Sequence, residues 1–477
     1  MRLWIQLGVF TLLLSFSVAA ADGFEQYTVA TGFWAPAGLL VCSINDDEYP
    51  DILGAAWNDD EVSYWINSGE VIPQWEEFVV TDSLDGACFV CSGDINNDGF
   101  NDIAACGYEA NLIICFMGDG GGSWTRVVVS DELVHPHEVH FADIDQDGLV
   151  DLLAAGAGAT AVSWWKNNGS GPDQWQKFDV CTNMPGGRSV CWGDFDQDGD
   201  LDLAGCSLPR DDVRWWENDG QTPPGWTDHL IEGSLDGAHM TRTADIDGDG
   251  SLDLATTGYG SGEIAIWFNR GGSTVVWEKH SISGSFGLAL GIELVDINND
   301  NLIDLVGTSM GPSQMAVWLN NGGSPSTWNK KIVDGALSGA WPLSSGDLDS
   351  DGWIDLVGGA NSAGYIRWYR NDIISGINEG QSVSAGFVLG KVSPNPASGS
   401  VSVILNRNKA GRNRVFVMDI AGRAVCELFS GPSPAGESTF LWNCCSEDGC
   451  PVKSGIYCVV VNSDSKESAV SRITVLR

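Results

Sequence analysis

The chain has 477 residues, 43% of them hydrophobic, with 21 Trp, 60 Gly and a formal charge of −40 from 64 acidic and 24 basic side chains. Such a charge suits a disordered chain, but the aromatic content and regular patterning argue for packed cores. So acidic a surface excludes nucleic acid and an anionic membrane as partners and favours cations.

The first residues read as an export signal. Arg2 supplies a positive start, Leu7 to Val18 is an apolar run, and Val18-Ala19-Ala20-Ala21-Asp22 is a small-residue cleavage site. The run falls short of the about 20 apolar residues that a membrane span needs, so residues 1–21 are expected to be a signal peptide. No later stretch has the length and apolarity of a transmembrane segment.

Residues 22–372 are a repeat. Acidic strings begin at Ser43, Asp94, Asp143, Asp194, Asp245, Asp296 and Asp347, spaced 51, 49, 51, 51, 51 and 51 residues apart. An aromatic residue lies 22 positions beyond each start: Trp65, Phe116, Trp165, Trp216, Trp267, Trp318 and Tyr369. Two positions further stands Asn67, Asn167, Asn218, Asn269, Asn320 or Asn371, with Gly118 in the second unit. Six strings are preceded, 19 residues upstream, by Trp75, Trp124, Trp175, Trp226, Trp277 or Trp328. Short β-branched and aromatic runs alternate with Gly, Asn and Asp turns, and no sustained helical period occurs. About four strands per unit make a propeller blade, and seven units close a ring. The recurring Trp columns are expected to be inter-blade core.

The seventh unit stops after Asn371, one strand short. Phe24 lies 19 residues before Ser43, so Phe24 to Val29 aligns with Trp75 to Val80 and is expected to supply the missing outer strand of the last blade. A clasp of this kind removes the open seam of the ring.

The strings follow D-x-[DN]-x-[DN]-G-x-x-D. In a tight turn, side chains at positions 1, 3, 5 and 9 face one point, and Gly at position 6 permits the turn. So many carboxylates in one loop repel unless a cation sits among them, and an all-oxygen set suits Ca²⁺ better than Mg²⁺, zinc or copper. Ordinary turns need one such residue, not four. Position 9 is Asp and a strand follows, so the loop is not an EF-hand. The expected ligands are Asp143, Asp145, Asp147 and Asp151; Asp194, Asp196, Asp198 and Asp202; Asp245, Asp247, Asp249 and Asp253; and Asp347, Asp349, Asp351 and Asp355. Two strings carry Asn at position 3, giving Asp94, Asn96, Asp98 and Asp102, and Asp296, Asn298, Asp300 and Asp304. The Asp296 string replaces the Gly with Asn301, which tolerates the left-handed conformation. The first string offers Asn45, Asp47 and Asp51 behind Ser43, with Glu48 in place of Gly, and is expected to bind weakly or not at all. About five to seven Ca²⁺ per chain follow from the loop count.

The DxDxDGxxDL strings and the V-x-W-W-x-N segments after them resemble the FG-GAP or VCBS repeats of integrin-α-type propellers. The resemblance covers about residues 24–372 and implies the same fold and calcium loops. It leaves function open, because that family includes adhesins, lectin-like proteins and a few lyases.

Residues 373–386 read as a Gly- and Ser-containing linker, and residues 387–477 as a separate small β-sandwich. Val401 to Leu405, Arg414 to Met418 and Arg472 to Arg477 are expected strands. The opening Ser393-Pro394-Asn395-Pro396-Ala397, the turn Asp419-Ile420-Ala421-Gly422-Arg423 and the segment Ser454-Gly455-Ile456-Tyr457 resemble the C-terminal sorting domain of type IX secretion cargo, kin to the Ig-like domain of flagellar hook-capping proteins. That resemblance implies the secretion machinery as a partner and delivery to the bacterial cell surface. Cys444, Cys445 and Cys450 depart from the usual pattern, where the loop after the Trp is polar.

The 13 Cys fit an oxidising compartment, and the odd number leaves at least one unpaired within a monomer. Cys91 with Cys106, and Cys191 with Cys206, flank acidic strings and are expected to face each other across hairpins, as disulfides or as buried thiols.

One column varies while its surroundings repeat. Six residues before each string stand Ala37, Cys88, His137, Arg188, His239, Leu290 and Trp341. This column opens the innermost strand, near the axis on the face opposite the acidic loops. His137, Arg188, His239 and Trp341 are the candidate ligand-binding residues, suited to an anionic or sugar ligand. No nucleophile motif, phosphate loop or His/Cys zinc spacing occurs, and the carboxylate pairs are accounted for by calcium. The expected function is non-catalytic: an exported surface protein for adhesion or for binding an extracellular glycan or protein. The alternative is a calcium-dependent polysaccharide lyase, with Arg188 or His137 as base acting on uronate, or another carbohydrate-active enzyme on a propeller scaffold.

Overall fold

The computed structural model describes residues 18–19, 23–45, 47–70, 72–158, 162–271, 275–323, 326–371, 387–393, 397, 399–407, 411–419, 424–446, 449–463 and 468–475. Most of the expected signal segment and the whole expected linker lie outside them, as do Pro394 to Pro396 and Ile420 to Arg423. The chain divides into two compact units, residues 1–297, 301–348 and 355–371, and residues 298–300, 349–354 and 372–477.

The first unit is a seven-bladed β-propeller of four-stranded antiparallel sheets. In the first blade the strands run Pro36–Cys42, Asp51–Ala56, Glu61–Asn67 and Trp75–Thr81, from axis to rim. The innermost strands neighbour one another in sequence order, and the last, Ala340–Gly346, neighbours Pro36–Cys42. That contact closes the ring. Burial follows the radial order. Each second strand, such as Asp51–Ala56 or Asp253–Gly258, is buried along its whole length, whereas the outer strand Trp75–Thr81 is largely exposed. Blades stack on the first aromatic column. Trp165 packs with Cys91, Ala104 and Cys115 of the blade before it, and Trp267 with Cys191 and Ala204.

The seventh sheet is completed from the other end of the chain. Phe24–Thr31 pairs antiparallel with Tyr365–Asn371, in the register Phe24 with Asn371 and Tyr27 with Trp368. The Tyr27 and Trp368 rings stack at 4.7 Å. Val18–Ala19 adds two residues outside this strand.

The structure corrects the expected cysteine pairing. Cys91 stands opposite Ala104 and Cys106 opposite Phe89, because the register of that hairpin lies two residues from the one that would align the two cysteines. Cys191 likewise faces Ala204, and Cys206 faces Ser189. All four are buried free thiols. The Cys106 sulfur instead lies 3.2 Å from that of Cys88.

The second unit is a sandwich of a three-stranded sheet (Phe387–Ser393, Val401–Arg407, Gly436–Trp442) and a four-stranded sheet (Ala424–Ser433, Gly411–Asp419, Gly455–Ser463, Ser468–Val475). Val401, Val403 and Leu405 from one sheet meet Val415, Val417, Val459 and Val461 from the other in one core, the alternation expected of strands with one buried face. Trp442 closes this core against Tyr457 at 5.3 Å and donates its indole N–H to the Cys445 carbonyl. Among the described residues no helix is long and apolar enough to cross a membrane.

Candidate functional site

Two regions carry chemistry, at opposite ends of the innermost strands. Each innermost strand runs toward its acidic loop, and the second strand returns from it, so the loops share one face of the ring.

The loops fold on their own carboxylates. In the third blade, Asp143 accepts the backbone N–H of Asp147 at 3.0 Å and of Gly148 at 2.9 Å, and Asp147 accepts that of Leu149 at 3.0 Å. Gly148 has φ +90°, a conformation that strains any residue with a side chain. At the equivalent place Asn301 takes φ +67° and donates its N–H to Asp296 at 2.8 Å.

Position 9 has a structural duty that the motif does not announce. Asp253 is fully buried; one carboxylate oxygen accepts Ile246 N–H at 2.9 Å and the other accepts Asn269 N–H at 2.8 Å. The same two bonds recur at Asp51, Asp151, Asp202 and Asp304. The Asn column then ties blade to blade. Asn269 donates its amide to the Phe195 carbonyl of the preceding loop at 2.7 Å, Asn371 to Ile297 at 2.7 Å, and Asn67 to Leu348 across the ring closure at 2.8 Å.

Four carboxylate trios converge within 4.8 Å among the described residues: Asp143, Asp145 and Asp151; Asp194, Asp196 and Asp202; Asp245, Asp247 and Asp253; and Asp347, Asp349 and Asp351. A cation fits these trios. One oxygen each of Asp145 and Asp245 is buried without a hydrogen-bond partner, a cost that a coordinated ion removes. Burial, opposed by the backbone hydrogen bonds and reinforced by neighbouring carboxylates, pushes Asp151, Asp202 and Asp253 up to about 7 and Asp102 up to about 6. Hard oxygen donors on a flexible loop are the ligand set of Ca²⁺. Two loops also carry a side-chain cation: Lys166 contacts Asp145 and Asp147, and Arg270 contacts Asp247 at 2.6 Å. In the first string the Asn45 amide donates to Asp47 at 2.7 Å and the Ser43 hydroxyl to the Asn45 carbonyl at 2.7 Å, so two of its polar groups satisfy each other.

At the other end of the axis lies a pocket of about 560 Å³. His137, Arg188, His239 and Trp341 all line it, joined by Leu290 of the same column. Ala37 and Cys88 do not. Each is the second residue of its innermost strand, which is why one column converges there. A second column, 14 residues after each string start, contributes Trp57, Tyr108, Leu208, Tyr259, Met310 and Asn361. The register explains the partnership: Ala238 pairs with Gly258, so His239 and Tyr259 stand side by side at the end of that hairpin. This second column was legible too, as a position that varies inside a strict repeat.

The rings interlock. His137 lies 5.5 Å from His239 and 6.1 Å from Trp341, Trp57 lies 4.8 Å from Tyr108, and the Arg188 guanidinium sits 6.0 Å over the Tyr108 ring. His137 Nδ1 is 2.8 Å from the Arg188 carbonyl. A carbonyl only accepts, so Nδ1 carries the proton and Nε2 is left as an acceptor. Burial, aided by Arg188, pushes His137 down to about 3, and burial holds His239 well below its ordinary value. Both imidazoles are neutral.

Between the pocket and the loops a smaller cavity of about 150 Å³ is lined by His140, Arg242 and Glu293. Buried Glu138 pairs with Arg242 at 2.9 Å and His140 at 3.1 Å, and accepts Val190 N–H at 2.9 Å. The sequence reading missed these groups. The signal was a third varying column, three residues before each string, which reads Leu40, Cys91, His140, Cys191, Arg242, Glu293 and Ser344.

Fold and loops together define an acidic-loop repeat propeller. A family model for the FG-GAP-like repeat matches residues 94–154, 143–205, 245–307 and 296–358, just under half of the chain, and the chain carries FG-GAP-like repeats at those positions. No curated protein sequence matches the chain. Among solved structures, PorZ of Porphyromonas gingivalis, described as an essential bacterial surface component of the type-IX secretion system, is similar with a TM-score of 0.45 and 16% identity over 91% of this chain. The chain covers 59% of the PorZ chain.

Proposed function

We propose that this chain is an exported surface protein whose propeller, stiffened by Ca²⁺ in its acidic loops, binds an extracellular ligand in the axial pocket without transforming it. The observation that carries the reading is the pocket itself. Residues from all seven blades vary from the repeat where they meet the axis, and they bring aromatic rings, neutral imidazoles and one guanidinium to one point. A concave, mostly aromatic site with a few polar groups is the usual form of a small-ligand site, and its volume lies in the ordinary range of about 300–1,000 Å³. Residues 1–21 serve for export, residues 22–372 form the binding ring, residues 373–386 link it, and residues 387–477 are a sorting module read by the secretion machinery.

Two experiments test this. Glycan-array binding by the purified chain, repeated with Trp341→Ala, is expected to show ligands whose capture depends on Trp341. Retention of every ligand by that variant would remove the pocket from the function, and release of an unsaturated uronate product would replace binding with a lyase activity. Truncation after residue 380 in the host is expected to hold the propeller in the periplasm while its melting stays unchanged. Normal surface delivery of the truncated chain would refute the sorting role.

A further inference from the structure

The axial pocket stands out electrostatically as well as in shape. The chain has 64 acidic side chains against 24 basic ones, yet among the described residues no Asp or Glu lines the pocket and one Arg does. No carboxylate pairs with Arg188 among the described residues, and its Nε is buried without a hydrogen-bond partner. The nearby buried carboxylate, Glu138, is already taken by Arg242 and His140. A guanidinium held over Tyr108 and left without a counter-ion presents a fork of N–H donors with the geometry of a carboxylate. The flanking imidazoles are neutral, so Arg188 is the pocket's full charge.

The walls select a second feature. Trp57, Tyr108, Tyr259 and Trp341 offer flat apolar faces, which suit the C–H face of a pyranose ring. His137 Nε2, an acceptor by the tautomer its Nδ1 adopts, suits a hydroxyl donor. We infer that the axial pocket binds an acidic sugar residue, with the carboxylate on Arg188 and the ring against the aromatic wall. This rests on the pocket being the binding site and goes beyond it by fixing the ligand's charge.

The test is titration of the full chain, followed by Trp fluorescence and calorimetry, with a panel of uronate oligosaccharides and sialyllactose, each beside its neutral counterpart (the carboxyl-reduced sugar or lactose). At least one acidic probe is expected to bind about tenfold or more tighter than its neutral partner, as expected for a charged hydrogen-bonded contact. Arg188→Met is expected to erase that preference while leaving melting unchanged, and Arg188→Lys to restore part of it. Equal binding of a neutral partner, or a preference that survives Arg188→Met, overturns the acidic-sugar inference while the pocket reading stands, provided Trp341→Ala still abolishes binding. Binding that is insensitive to both Arg188→Met and Trp341→Ala overturns the pocket reading as well. If no acidic probe binds, the inference falls.

Discussion

Asp253 separates what holds a blade together from what binds an ion. Its carboxylate accepts two backbone N–H groups, from Ile246 at 2.9 Å and Asn269 at 2.8 Å, in a fully buried place. Asp253→Ala orphans both donors, and at about 1–3 kcal/mol for each buried unsatisfied group the expected loss is about 2–6 kcal/mol. That is a large share of a typical net stability of about 5–15 kcal/mol, so Asp253→Asn, which keeps one acceptor, is the milder companion. None of this cost depends on an ion. Asp247 converges with Asp245 and Asp253 and pairs with the half-exposed Arg270 at 2.6 Å, a surface pair worth about 0–1 kcal/mol, so Asp247→Asn is expected to weaken the chain mainly when calcium is present. Asp51 is the control: its string lacks Asp at position 1 and Gly at position 6, yet it accepts Ile44 N–H at 3.0 Å and Asn67 N–H at 2.9 Å. Urea unfolding of the four variants and the parent, in EDTA and in excess calcium, reads the two contributions apart. Asp253→Ala and Asp51→Ala should both shift the midpoint in EDTA. An EDTA midpoint equal to that of the parent for either variant would refute the structural role of position 9.

Three further outcomes are expected. Chelating calcium lowers the melting temperature, because an ion bound only by the folded state stabilises it, and metal analysis returns about five to seven Ca²⁺ per chain; unchanged melting in EDTA would rule out structural calcium sites. Deleting residues 24–29 uncovers the Tyr365–Asn371 edge and the Trp368 ring, so the deleted chain aggregates in size-exclusion chromatography, and a stable monomer would disprove the clasp. Because His137 is pushed down to about 3 and His239 well below its ordinary value, ligand affinity stays flat from about pH 5 to 8. The unfolded chain protonates these imidazoles near pH 6.5 and the folded chain does not, so their share of the stability falls as pH drops below about 6.5, opposite in sign to the raised Asp151, Asp202 and Asp253, and the difference between the parent and His137→Gln isolates it. Affinity that rises through pH 6.5 would contradict neutral imidazoles.

Local sequence determined much of this protein. A period of 51 residues with three aromatic and Asn markers in step cannot be satisfied by helices, and one blade cannot bury its own faces, so repetition itself implies a ring. The missing last strand and the matching Phe24 segment made the closure legible, because strand edges must pair. The acidic loops were legible for the same local reason: Asp, Asn and Gly at set offsets have few conformations open to them, and Gly148 and Asn301 adopt the left-handed one. The varying column that holds His137, Arg188, His239 and Trp341 was visible as a break in the repeat.

Tertiary structure alone decided the rest. Hairpin register set Cys91 opposite Ala104 and brought Cys88 beside Cys106, and a shift of two residues leaves the hydrophobic alternation unchanged, so no sequence pattern betrays it. The Asn column is visible in sequence only as a repeat marker, whereas in the ring Asn269 reaches the preceding blade's loop, a contact 74 residues away along the chain. The charge of the pocket likewise depends on assembly. Glu138 and Arg242 lie 104 positions apart and neutralise each other only because the ring brings their strands to one axis, and that pairing leaves Arg188 as the cation a ligand meets.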